Sequence, residues 1–243
     1  MIILYTDFGW QGPYVGQIKA LLQAQAPDQA VIDLMHDAPT YQPRAAGYLL
    51  ASLIDRLPEK AIIIGVVDPG VGNPERKAVM IEADGRRLVG PDNGLFNVIA
   101  KRASQVKWRD ILWQPEYLSS SFHGRDLFAP VAAMLSKGEI PQSNEVPATS
   151  RIDPQQPDDL AEIIYIDHYG NCMTGIRASQ LDQESEIEVG KYSISKARTF
   201  SDVPRGRAFW FENSNGLVEI AINMGNAAKT LDIEPGDKIV IAD

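Results

Sequence analysis

The chain has 243 residues, 44% hydrophobic and 23% charged, which suffices for a large core in one big domain or two smaller ones. Its 32 acidic against 23 basic residues give a formal net charge of −9. That argues against nucleic acid or an anionic membrane as partner, since both demand basic patches, and suits a cationic small ligand. One cysteine, Cys172, leaves no disulfide framework and no thiolate metal cluster. No signal-peptide pattern fits the first residues, and no apolar run approaches the ~20 residues needed to span a bilayer. The expected location is cytoplasmic.

Residues 2–6 form an apolar run expected as a buried strand, followed by a loop at 7–13. From Tyr14, the residues Val15, Ile18, Leu21 and Leu22 recur at helical spacing. Residues 30–35 predict a second strand. Ala45, Tyr48, Leu49, Ser52 and Leu53 trace one face of a second helix. Residues 61–67 are an unbroken apolar run that ends in Asp68, as expected of a strand buried on both faces. This β-α-β-α-β rhythm predicts an α/β domain with a doubly wound, mostly parallel sheet.

Residues 78–82 and 87–90 flank a hairpin turn at 83–85. A tight turn at 90–94 delivers Asp92 and Asn93 ahead of a short helix through Phe96 and Ile99. A polar loop at 119–126 runs into an apolar helix at 127–135, expected to be N-capped by its own polar side chains. Residues 137–159 hold four prolines among polar residues and are expected as a linker. Beyond them, short alternating segments at 162–166, 172–176, 186–189, 208–211, 217–222 and 238–242 predict a small all-β barrel or sandwich. The expected domains are residues 1–150 and 151–243.

Three carboxylates, Asp7, Asp37 and Asp68, follow strands. In open α/β sheets ligands gather outside the carboxyl ends of the strands, so Asp68 stands where chemistry is done; its plainer alternative is a turn carboxylate capping its own loop. The three histidines, His36, His123 and His168, sit in different loops without His-pair spacing, so no metal site is expected. His36 is expected as a packed turn residue, and His168 lies in a polar turn able to face a ligand. His123 precedes a helix, and is either functional or simply a solvated loop histidine. Asp68, Arg76 and His123 make a plausible water-orienting set, with the carboxylate accepting from water, the arginine fixing the carboxylate and the histidine taking the proton. No Gly-x-Ser-x-Gly elbow, Walker loop or dinucleotide fingerprint is present.

Six motifs occur in order: TDFG at 6–9, VDPGVG at 67–72, GPDNG at 90–94, FHGRD at 122–126, DHYGN at 167–171 and NSNG at 213–216. Together they resemble the S-adenosyl-L-methionine hydrolase (adenosine-forming) family, or SAM hydroxide adenosyltransferases, relatives of fluorinase and chlorinase. The resemblance implies an N-terminal α/β domain, a C-terminal β-barrel and a homotrimer with the ligand between the N-terminal domain of one subunit and the C-terminal domain of the next. It implies S-adenosyl-L-methionine as substrate, adenosine and L-methionine as products, and no cofactor. The family's water-activating residues fall on Asp68, Arg76 and His123. Asp7 matches the ribose-gripping carboxylate and Asn171 an adenine-edge contact. Asp167, Ser214 and Asn215 match groups on the methionine end, and Tyr169, Phe211 and Met224 line the adenosine pocket.

The family often has Arg seven residues after the Asp; here that position is Glu75, with Arg76 next. Either the loop absorbs the shift at Pro74, or the arginine's role is weaker. The halogenating relatives carry an uncharged residue at the position of Asp68, so hydrolysis is expected over 5′-halogenation. A non-catalytic adenosine or S-adenosylmethionine sensor is the remaining alternative.

Overall fold

The structure, a computed structural model, describes residues 1–182 and 184–242. The chain divides into two compact units, Met1–Gln156 and Pro157–Asp243.

The first unit is built on β1 (Ile2–Thr6), whose five residues are all buried. It lies between β2 (Val31–Met35) and β3 (Ile62–Val66), parallel to both. Side chains alternate across a strand, so β1 serves two cores at once. Ile2 and Leu4 join Ile18 and Leu22 of helix α1 (Tyr14–Gln25) in one cluster. On the opposite face the Tyr5 hydroxyl donates to Ala46 O of α2 (Pro43–Leu53) at 2.8 Å. Each wholly buried Ile or Leu is worth roughly 1.5–3 kcal/mol, which makes these central strands the anchor of the unit.

The chain runs from β1 out to β2, then returns past β1 to β3. That reversal opens a crevice at the carboxyl ends of β1 and β3, where α/β sheets bind their ligands. Beyond β3 come β5 (Arg86–Pro91), β4 (Ala78–Ala83), β6 (Val106–Ile111) and β7 (Ser143–Val146). β3 pairs with β5 in parallel, and the remaining pairings are antiparallel. The unit is therefore mixed α/β with a large, parallel-rich sheet. Asp84 and Gly85 both have positive φ, as a two-residue type I′ hairpin requires.

Three expectations need correcting. Part of the stretch expected as a linker is folded: β7 pairs with β6, and Leu112 N donates to Gln142 O at 2.8 Å. Arg151 beyond it sends Nη1 to Asp92 at 3.1 Å and Nη2 to Asp110 at 2.5 Å, so ion pairs anchor what its composition left looking unattached. The helix expected at 127–135 begins as a π-helical turn, Gly124–Phe128, before α4 (Ala129–Ser136). Neither segment has a side-chain N-cap, because the polar loop residues bond one another instead. The short helix near Phe96 is α3 (Asn97–Arg102).

The second unit holds two antiparallel sheets. One orders β12 (Ala208–Glu212), β13 (Leu217–Ile222), β9 (Cys172–Arg177) and β8 (Leu160–Ile166). The other orders β11 (Tyr192–Ile194), β10 (Glu186–Val189) and β14 (Ile239–Ala242). Single bridges link their outer strands, Glu162 with Lys238 and Lys196 with Trp210. Trp210 is fully buried and donates from Nε1 to Ser185 O at 3.0 Å, so the largest side chain of this core is also satisfied. A short helix, α5 (Ala227–Leu231), starts at Asn226, whose side chain accepts from Lys229 N at 2.8 Å. No helix among the described residues is long and apolar enough to cross a membrane.

Candidate active site

Asp7 and Asp68 leave the sheet side by side, Asp7 one residue past β1 and Asp68 two past β3. They face one cleft of about 480 Å³, walled also by Phe8, Tyr41, Phe122 and His123.

The loop after β3 is shaped to turn Arg76 back on Asp68. Gly70 leaves room for the guanidinium, and Gly72 lets the loop pack against Ser120. A Cβ at Gly70 would lie 2.7 Å from Arg76 Nη2, and one at Gly72 would lie 2.4 Å from Ser120 O. Without those atoms the guanidinium folds over the loop and donates from Nη1 to Asp68 Oδ1 at 2.7 Å. Gly70 N donates to the same oxygen at 3.2 Å. Glu75 is exposed, so the one-residue shift delivers Arg76 and not its neighbour. Asp68's side chain is 3% exposed, and its Oδ2 is buried with no hydrogen-bond partner. A buried carboxylate oxygen normally has a donor, so this one is poised to accept a hydrogen bond.

His123 stands at the N-terminal end of the π-helical turn, a rare element that recurs at functional sites. Its loop is held by Arg125, which donates from Nε to Asp126 Oδ1 at 2.6 Å and from Nη1 to Gln17 Oε1 at 2.6 Å. Asp126 also accepts from Ser119 N at 3.0 Å, and the Arg125 hydrogen bond holds its carboxyl below the usual range.

Asp7 Oδ2 accepts from Tyr41 N at 3.2 Å. Tyr41 has φ +60°, which costs of order 1 kcal/mol or more for an aromatic residue and aims its N–H at that carboxylate. Burial, with Asp68's charge as a smaller contributor, pushes the Asp7 pKa up. His36 is fully buried, its Nδ1 2.7 Å from Thr6 Oγ1, and packs as a turn residue away from the cleft wall.

The second unit has its own open hollow of about 700 Å³. Asp167, Tyr169, Asn171, Phe211, Ser214 and Met224 lie on its wall. Asp167 Oδ1 accepts from Tyr169 N at 2.9 Å and Asn171 N at 2.8 Å, while Oδ2 accepts from Asn171 Nδ2 at 3.1 Å. Asn215 is not on that wall; its backbone N–H is turned to Asn213 Oδ1 at 2.9 Å. His168 is also absent from the wall and stacks edge-on against Tyr169.

Sequence reasoning missed Glu219 in this hollow. It is buried, accepts from Asn213 Nδ2 at 2.8 Å, and has its pKa raised by burial. Its signal was a lone acid in the otherwise apolar segment LVEIAI. The Arg125 and Asp126 pair was inside a recognised motif, yet its loop-holding role needs the long-range partner Gln17.

A strand-end crevice with a buried, arginine-paired carboxylate defines an α/β protein of the enzyme-like kind, its second unit bearing a separate polar hollow. The chain belongs to the SAM hydroxide adenosyltransferase family, whose N-terminal domain model matches residues 2–145 and C-terminal domain model residues 161–240. It is 36% identical to the (R)-S-adenosyl-L-methionine hydrolase of Thermus thermophilus, over 97% of this chain and 96% of that protein. The enzyme of the same name from Salinispora arenicola is 35% identical over 96% and 94%. A crystal structure of an uncharacterised conserved protein from Thermotoga maritima superposes with a TM-score of 0.83 at 30% identity, covering both chains completely.

Proposed function

We propose that this protein hydrolyses S-adenosyl-L-methionine to adenosine and L-methionine by in-line attack of water on C5′ of the ribose. Asp68 carries the assignment: one oxygen is fixed by Arg76 and the Gly70 amide, and the other is buried and free to accept from water. The sulfonium is already an excellent leaving group. The water oxygen forms the new bond to C5′, the C5′–S pair leaves with sulfur as the neutral thioether, and His123, on the same cleft wall, takes the surplus proton. As its proton leaves for His123, the water oxygen gains negative charge opposite the sulfonium, so charge is neutralised in the transition state and a dry cleft favours reaction. Asp7 grips the ribose hydroxyls.

The carboxylate also selects the nucleophile. At ~4 Å, a carboxylate and a halide repel by ~4 kcal/mol at an effective dielectric near ~20, which excludes halide where water gains an acceptor. No cofactor is needed for this chemistry.

Asp167 and Ser214 hold the methionine end, Asn171 meets the adenine edge, and Tyr169, Phe211 and Met224 cover the nucleoside. Family likeness supports a homotrimer in which the second unit of one subunit serves the first unit of the next; sedimentation giving a monomer would count against it. The two bridges between the outer strands of the small sheets support a closed barrel. The test of function is incubation of the purified protein with S-adenosyl-L-methionine, adenosine being followed by chromatography. Product well above a His123→Ala control is expected; none above it would end the proposal.

A further inference from the structure

A second cavity, of about 390 Å³, lies behind the catalytic wall of the first unit. It shares Asp68, His123 and Phe128 with the nucleoside cleft, and otherwise has different walls. Its far side is formed by Ala78, Trp113, Leu118 and Leu127 together with the charged side chains of Lys77 and Asp110. Both cations on its wall are paired, Lys77 Nζ with Asp110 Oδ2 at 2.7 Å and Arg76 Nη1 with Asp68 Oδ1 at 2.7 Å. The cavity's mixed apolar and polar walls suit small neutral molecules, of which water is the one the reaction consumes.

We propose that this rear cavity is the water entry of the enzyme, supplying the nucleophile to Asp68 while the substrate fills the front. The inference rests on the hydrolase assignment above. In-line displacement requires the attacking oxygen and the departing sulfur on opposite sides of C5′. A nucleoside gripped at Asp7 occupies the front cleft, so solvent reaching the Asp68 and His123 wall must come from elsewhere. The rear cavity touches both of those side chains and is not lined by Asp7, Phe8 or Tyr41. The buried, unpartnered Oδ2 of Asp68 belongs to a residue lining both spaces, where an arriving water would be caught. Leu118 and Ala78 are partly buried, and therefore set the bore of this space without being central to the core.

Two substitutions narrow it, Leu118→Trp and Ala78→Leu. Both should lower kcat at least tenfold while KM for S-adenosyl-L-methionine and calorimetric affinity for adenosine stay within twofold of wild type. An unchanged kcat, or a loss carried by KM, would overturn the inference. Leu118→Ala widens the cavity and guards against misfolding of the filled variants. With methanol added, attack by its oxygen on C5′ gives 5′-O-methyladenosine, the hydroxyl proton leaving as it does from water. The ratio of that ether to adenosine should rise severalfold over wild type, and an unchanged ratio would contradict the proposal. Failure of wild type to form adenosine would instead refute the hydrolase assignment itself.

Discussion

Arg76 Nη1 lies 2.7 Å from Asp68 Oδ1 although eight residues separate them, because Gly70 between them has no Cβ to block the return. The pair fixes one carboxylate oxygen and leaves the other available. Gly70→Ala places a methyl 2.7 Å from the guanidinium and should push it off. We expect Arg76→Ala and Gly70→Ala to lower kcat by similar factors, of order tenfold to a hundredfold, the loss of one charge-assisted hydrogen bond. Steady-state kinetics checks this; normal kcat in Gly70→Ala would show the pairing to be incidental.

Asp7 should make nucleoside binding fall at low pH. Burial raises its pKa above the ordinary 3.8, so the carboxylate proposed to accept from ribose hydroxyls is lost before an exposed Asp would protonate. Adenosine affinity, measured by calorimetry, is expected to be level near neutral pH and to weaken as the pH falls through the raised Asp7 pKa. Asp7→Asn should bind weakly and without that slope.

Glu219 carries a stability prediction of definite sign. Its folded-state pKa lies above the ordinary 4.5, chiefly through burial, with the Asn213 hydrogen bond opposing. A raised folded pKa means stability that is complete below the unfolded value and lost as pH rises through the folded one. Glu219→Gln keeps an acceptor for Asn213 and removes the titration. Its Tm should match wild type near about pH 4 and exceed it increasingly above that; a variant less stable at neutral pH would reverse the argument.

Arg151 should be a stability residue of the first unit. It bridges Asp92 and Asp110, both largely buried, and burial already raises the Asp92 pKa. Arg151→Ala strands these carboxylates, although Lys77 still reaches Asp110, so a loss of about 3 kcal/mol is expected in denaturant titration. A change within experimental error would mean that solvent already screens the cluster.

The central strands were legible in the sequence because burial on both faces leaves a continuous apolar run, as at Ile62–Val66. β6 was not, since Lys107 and Arg109 alternate with buried Trp108 and Asp110 in a pattern that resembles surface chain. β7 has the sequence SNEV and pairs on one side only, so its existence depends on β6, which the local sequence does not describe. The ion pairs of Arg151 span 41 and 59 residues and carry no periodic signal. At the site, the strand-end position of Asp7 and Asp68 followed from the β-α-β rhythm. The return of Arg76 over Gly70, and the strained backbone of Tyr41, are matters of loop geometry that only coordinates reveal.

The most direct test of the water-activation account follows the nucleophile's atom. Turnover of S-adenosyl-L-methionine in ¹⁸O-labelled water, with mass spectrometry of the adenosine, should place one heavy oxygen at the 5′-hydroxyl. Asp68→Asn should slow that incorporation by roughly a hundredfold to a thousandfold. Adenosine formed without the label, or Asp68→Asn turning over at the wild-type rate, would contradict the account.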